Sequence, residues 1–321
     1  MLDSLLLGTP LWMWAVFFSC ILVLLAFDLG VVHRKSCELS VRQSLHMTLF
    51  YMVAALLFSM FVWSTLGAQS GKEYLTGYIV EQTLSMDNVF VMSLVFTYFQ
   101  IPREYQYRVL FYGILGVIIL RGIMIVLGAE LVENFLWTLY FFGAFLVFTG
   151  VKMLGGAEID PDIENNIVLR TMRRFVRVTP QLHGQKFFIR APGEGGRMQR
   201  FATPLFAALV VIECLDLVFA VDSVPAIFAI TTDSFIIYTS NIFAIFGLRA
   251  LYSTLSAMIH RFEYLKYSLS LVLVFIGSKV FVKDLLGLDK FPPSLSLGVT
   301  VGLLVAGVVY SLYKTRNRSK A

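Results

Sequence analysis

The chain has 321 residues, of which 58% are hydrophobic and only 15% charged, with a formal net charge of +5. A soluble domain is about 25% charged, so this composition excludes an ordinary soluble enzyme. The basic residues sit in loops beside apolar blocks, which speaks for the positive-inside rule rather than for a nucleic-acid-binding face.

Nine apolar segments follow one another, at 11–32, 46–68, 75–99, 108–128, 135–154, 203–230, 236–258, 266–286 and 293–313. Each is long enough to cross a hydrocarbon layer of ~30 Å at 1.5 Å per residue. The first block is followed by His33, Arg34 and Lys35 instead of a small-residue cleavage site, so it reads as a retained span rather than a signal peptide. The expected fold is all-α, a polytopic membrane protein of about nine transmembrane helices. Connections are short except for 155–202, a polar, Arg-rich stretch with a Gly-rich tip at Gly193, Gly195 and Gly196.

Loop charge sets an expected orientation. Alternate connections carry Arg34, Lys35 and Arg42, then Arg103 and Arg108, then eight Lys or Arg in the long loop, then Arg261 and Lys266, then the basic tail from Lys314. The opposite connections hold only Lys72, Lys283 and Lys290. The N-terminus is expected outside, and the long loop and C-terminus in the cytoplasm.

The chain also repeats itself. Glu81-Gln-Thr-Leu-Ser-Met-Asp87-Asn88-Val reads against Asp216-Leu-Val-Phe-Ala-Val-Asp222-Ser223-Val. Arg121 then matches Arg249, and Phe148-Thr-Gly-Val-Lys152 matches Phe275-Ile-Gly-Ser-Lys279. Three markers in one order divide the chain into two N-terminal helices (1–70), repeat 1 (71–154), a cytoplasmic loop (155–202), repeat 2 (203–286), and a last helix with its tail (287–321). Three spans per repeat invert the second copy relative to the first, a plan shared with many secondary transporters.

Besides Asp284 at the very end of its segment, six acids fall within the spans: Asp28, Glu81, Asp87, Glu213, Asp216 and Asp222. A charge at a helix centre costs about 2.5–3.5 kcal/mol on insertion scales, so these acids must face the interior. By the helical rise, Asp87 and Asp216 each lie about 18 Å from one end of their span, near the midplane. Glu81, Asp87, Asp216 and Asp222 are expected to line one pocket between the repeats, with Glu213 on the Asp216 face at i, i+3 and Pro225 offering a local break. The bland alternative is internal pairing with Arg121, Arg249, Lys152 and Lys279, the lysines reaching the interface. Two arginines alone leave four carboxylates over, and a divalent cation offsets two of those charges. Asn88, Ser223 and Asn241 are candidate neutral oxygen ligands, or simply helix contacts, and the glycines 113, 116, 143 and 150 suit close helix packing. The donor set is oxygen only, which suits Mg²⁺, Ca²⁺ or Mn²⁺. Cys20, Cys37 and Cys214 show no CxxC spacing, and no ATP-binding or prosthetic-group motif is present.

The Glu81–Val91 block, together with Glu213-Cys-Leu-Asp216-Leu-Val-Phe-Ala-Val-Asp222-Ser-Val-Pro225, closely resembles the TerC family of bacterial membrane proteins, and most of all its Alx branch. The resemblance implies a manganese exporter of the inner membrane with Glu81, Asp87, Glu213, Asp216 and Asp222 on the ion path, and Asp28 with a weaker claim. It also implies two rivals, since the family has been linked to redox modulation and to tellurium resistance: a membrane-bound redox modulator, or a scaffold docking through 155–202. The expected partners are lipid and a divalent cation.

Overall fold

The computed structural model describes residues 5–34, 41–135, 137–154, 178–179, 181–192, 198–258, 265–287 and 291–318. Among them are nine long helices: α1 (Leu11–Arg34), α2 (Val41–Leu66), α3 (Ala68–Tyr98), α4 (Arg103–Asn134), α5 (Trp137–Leu154), α6 (Pro204–Phe228), α7 (Ser234–Met258), α8 (Leu265–Leu285) and α9 (Pro293–Arg318). Seven of them are long and apolar enough to cross a membrane; α3 and α8 fall short of that criterion. The protein is an all-α polytopic membrane protein. Lipid-facing residues such as Leu57, Met60, Ile119, Phe148 and Val309 are exposed on its outside, as expected where hydrocarbon is the solvent.

Local chemistry sets the helix ends. Only Gly67 separates α2 from α3, and its φ of +92° is open to glycine at little cost. Pro204 opens α6 in its first turn, where a missing N–H costs nothing. Asp233 caps α7, its Oδ1 accepting from Phe235 N at 2.9 Å and Ile236 N at 3.2 Å, which satisfies donors the helix itself leaves open.

The most enclosed helix is α7, almost wholly buried and packed on α2, α3 and α4. A helix apolar all round belongs in such a place. Its rings join a core of Phe17, Phe58, Tyr74, Phe235, Phe243 and Phe246. Contacts between the two repeat regions come in exchangeable pairs: α3 packs on α7 as α6 packs on α4, while α5 packs on α8.

The α5–α8 contact shows the same exchange at residue level. A Cβ on Gly277 would lie 2.5 Å from the Gly143 carbonyl oxygen, and one on Gly150 would lie 2.7 Å from that of Ser270. The markers Gly150 and Gly277 differ by 127 positions, and so do Gly143 and Ser270. Swapping the helices maps one backbone contact onto the other.

Two expectations need correction. The 155–202 stretch is not all loop: β3 (Phe188–Pro192) and β4 (Met198–Ala202) form an antiparallel hairpin, after a short β1 (Leu5–Leu6) and β2 (Thr9–Pro10) hairpin at the start of the chain. Residues 155–177, 180 and 193–197, with the Gly-rich tip, lie outside the described residues. And Pro225 does not break α6, which runs through it to Phe228. A proline in the last turn disturbs only a bond near the frayed end.

Candidate functional site

The site grows from two buried arginines on facing helices. Arg121 on α4 is 1% exposed, and its stem fills the interior where α3, α6 and α7 meet it. Its Nη1 lies 2.6 Å from Glu81 Oε1, and its Nε lies 3.6 Å from Asp216 Oδ2. Nη1 also donates to Ser223 Oγ at 3.0 Å and to Asn241 Oδ1. Ser85 Oγ donates to Glu81 Oε1 at 3.1 Å. Glu81 and Asp216 occupy matching positions in the two repeats, so one guanidinium draws together an acid from each half. Its charge cancels only one of them.

Glu213 adds to the excess. Both carboxyl oxygens are buried without a hydrogen-bond partner, seated against α4 where a Cβ on Gly116 would lie 2.5 Å from them. Gly116 therefore makes room for a carboxyl, and not for the close approach of two helix backbones expected of it. A buried ionised carboxylate with no counter-charge is costly, so this corner favours a proton or a cation.

The second arginine behaves differently. Arg249 on α7 pairs through Nη2 with Asp28 Oδ2 and donates to Tyr107 OH at 3.1 Å. Tyr107 OH donates to Asp28 Oδ1 at 2.5 Å, and Tyr51 OH does so at 3.0 Å. The guanidinium carbon stands 4.7 Å from the Tyr107 ring centroid, within cation–π range. Asp28, the weakest candidate in the sequence, is fully buried and anchors this cluster. Sequence reasoning could not pair it, because its partner lies 221 positions away and Asp28 itself stands outside the repeat correspondence.

The structure thus brings Glu81, Asp216, Ser223 and Asn241 together on Arg121, holds Glu213 one turn from Asp216, and sets Asp28 apart with Arg249. Asn88 is buried on α3. The side chains of Asp87 and Asp222 lie outside the described residues; their backbones sit on α3 and α6, each six residues beyond the acid that reaches Arg121. The single four-acid pocket is therefore described only in its Glu81–Asp216 half. Among the described residues, no group of three or more His, Cys, Asp or Glu is arranged to hold a metal.

The lysines correct the pairing alternative. Lys152 is exposed. Lys279 does not reach for the interface: it is 5% exposed and donates to Ser296 Oγ on α9 at 3.2 Å. Cys20 and Cys214 are free thiols on α1 and α6.

Residues 66–319 match the profile of the family described as "Integral membrane protein TerC family". An uncharacterised membrane protein of Rickettsia bellii is 45% identical over 301 residues, covering 94% of this chain and 97% of that protein. A membrane protein of Myxococcus xanthus is 43% identical over 310 residues, 97% of this chain and 94% of its own. A protein of Escherichia coli (strain K12), named as a candidate membrane-bound redox modulator, Alx, is 41% identical over 322 residues, 98% of both chains. No solved structure matches.

Proposed function

The chain belongs to the TerC family of integral membrane proteins, in its Alx-like branch, and from that premise we propose that it is a secondary transporter exporting a divalent metal ion, Mn²⁺, from the cytoplasm. One observation carries the reading: Glu81 and Asp216, from matching positions of the two repeats, share a single buried Arg121, and the partnerless carboxyl of Glu213 stands one turn away. Charge this unbalanced inside a membrane marks an ion path more often than a structural pair.

Asp87 and Asp222 follow on the same two helices and, with Asn88, Ser223 and Asn241, complete an oxygen donor set of hard character. The expected setting is a bacterial inner membrane with the N-terminus outside and the C-terminus inside, from the bias of loop charge. Alternating access then comes from the two inverted repeats moving about the acids, and protons displaced from carboxylates are natural counter-substrates.

The names of the Alx relatives favour a second reading, a membrane redox modulator. Its chemistry would have to run through Cys20, Cys37 or Cys214, and the first and third stand on separate helices as free thiols. The test is flux. Purified protein in vesicles of defined lipid should move Mn²⁺ in the direction opposite to proton flow when a proton gradient is imposed. Vesicles that hold folded protein yet transport no Mn²⁺ would remove the proposal.

A further inference from the structure

The described bundle is hollow at one end and clasped at the other. A cavity of about 920 Å³ is bounded by the start of α3, the end of α4, the end of α6 and the start of α7, with Glu73, Glu130, Glu133 and Asp233 in its wall. At the opposite end, Arg249 ties together α7, α1 and α4 through Asp28 and Tyr107, and Tyr51 adds α2. This is the end that carries the β3–β4 hairpin, since α6 begins two residues after β4 and Arg108, beside Tyr107, donates to Gln185 at 3.2 Å.

Arg249 is not fully committed there. Nη2 serves both Asp28 and Tyr107, but Nε and Nη1 are buried without a hydrogen-bond partner. Arg249 and Asp216 line the same small void, of about 30 Å³, room on the order of a single water or two. Asp216 in turn is held by the longer of the two ion pairs of Arg121, 3.6 Å against 2.6 Å. A guanidinium can leave one buried carboxylate only if another acceptor is in reach, because a stranded charge in the interior is prohibitively unfavourable. Here the second acceptor lines the same void as the arginine, which keeps two donors idle.

We propose that Asp28, Arg249 and Tyr107 form a gate closing the end of the bundle opposite the acidic cavity, and that the gate opens as Arg249 passes from Asp28 to Asp216. The passage draws Asp216 away from Arg121 and leaves Glu81 as its sole acid partner, while Asp28 keeps the Tyr51 and Tyr107 hydroxyls and is hydrated by the water that the opening admits, so opening and the charge state of the ion site change together. The Tyr107 ring, already stacked under the guanidinium, is a surface along which it slides without losing all contact. The inference rests on the transport reading, but its test does not need the ion.

The three cysteines are replaced by alanine and Val89→Cys is introduced. Val89 lines the void and is 0% exposed, so its accessibility reports the gate. A membrane-impermeant maleimide is applied to sealed right-side-out and inside-out vesicles. The parent should be protected from the hairpin face. Asp28→Asn should raise labelling from that face several-fold, and the milder Tyr107→Phe should raise it less. Adding Asp216→Asn to Asp28→Asn should lower it again, because the second acceptor is gone. Equal protection in all variants overturns the gate, and so does a rise of the same size from both faces, which is loosening of the whole bundle. If labelling follows the prediction and Mn²⁺ flux is absent, the gate stands and the cargo is wrong. If Mn²⁺ moves and labelling is unresponsive, the gate alone falls.

Discussion

Arg121 and Arg249 hold matching places in the two repeats, 128 positions apart, yet their surroundings differ in kind. Arg121 takes an acid from each half, with a further partnerless carboxyl close by. Arg249 takes one acid, from a helix outside the repeats, and two tyrosine hydroxyls steady the same carboxylate. The first cluster is short of positive charge and the second is balanced. A balanced buried pair does mechanical work by holding helices together. An unbalanced one is where the transport reading seats its cation. The difference between the two arginines comes from α1, whose Asp28 gives Arg249 an acid of its own.

The largest expected effect breaks the Arg121 side of that comparison. Arg121→Met leaves Glu81 and Asp216 buried without a counter-charge, and losing one partner of a buried pair costs about 3–5 kcal/mol. The variant should be recovered mostly as aggregate by size-exclusion chromatography in detergent. Arg121→Met combined with Glu81→Gln and Asp216→Asn should restore much of the monodisperse peak, since no charge is then stranded. No rescue by the triple variant would mean that shape and not charge fixes the site.

A smaller effect sharpens the claim that the halves are equivalent. Gly277→Ala and Gly150→Ala each press a methyl against a partner backbone, the Gly143 and Ser270 carbonyl oxygens respectively. Overpacking of this sort costs about 1–3 kcal/mol. The two should lower the thermal unfolding midpoint by similar amounts, as a two-fold relation between residues 71–154 and 203–286 requires. A large loss at one glycine and none at the other would argue against that relation. The smallest effect concerns the thiol: Cys214→Ala should leave transport close to the wild-type rate, because Cys214 is a half-buried packing residue. Loss of function in this variant would favour the redox reading.

The helices were legible because lipid exposure writes itself as long apolar blocks, and all nine segments lie where the helices do. What was missed was local or distant. The β3–β4 hairpin hides in a basic stretch, although Phe188-Ile-Arg-Ala and Met198-Gln-Arg-Phe around a glycine cluster carry the alternation of a hairpin. Lys279 looked like an interfacial lysine by its distance from the span end, but α9 folds over it with Ser296. The acids themselves were plain, since charge inside an apolar block cannot be overlooked. Their partners were not: hydropathy gives depth but no azimuth, so nothing assigned Glu81 and Asp216 to one arginine or Asp28 to the other.

The central claim is that the acid excess around Arg121 is where the transported ion sits. The most direct measurement is Mn²⁺ flux in proteoliposomes, normalised to folded protein, for Asp216→Asn and Asp222→Asn, which keep side-chain volume and remove one charge each. Both variants should insert and fold, and both should lose nearly all Mn²⁺ transport. Wild-type flux per folded molecule in either variant would contradict the account and leave the cluster a structural pairing.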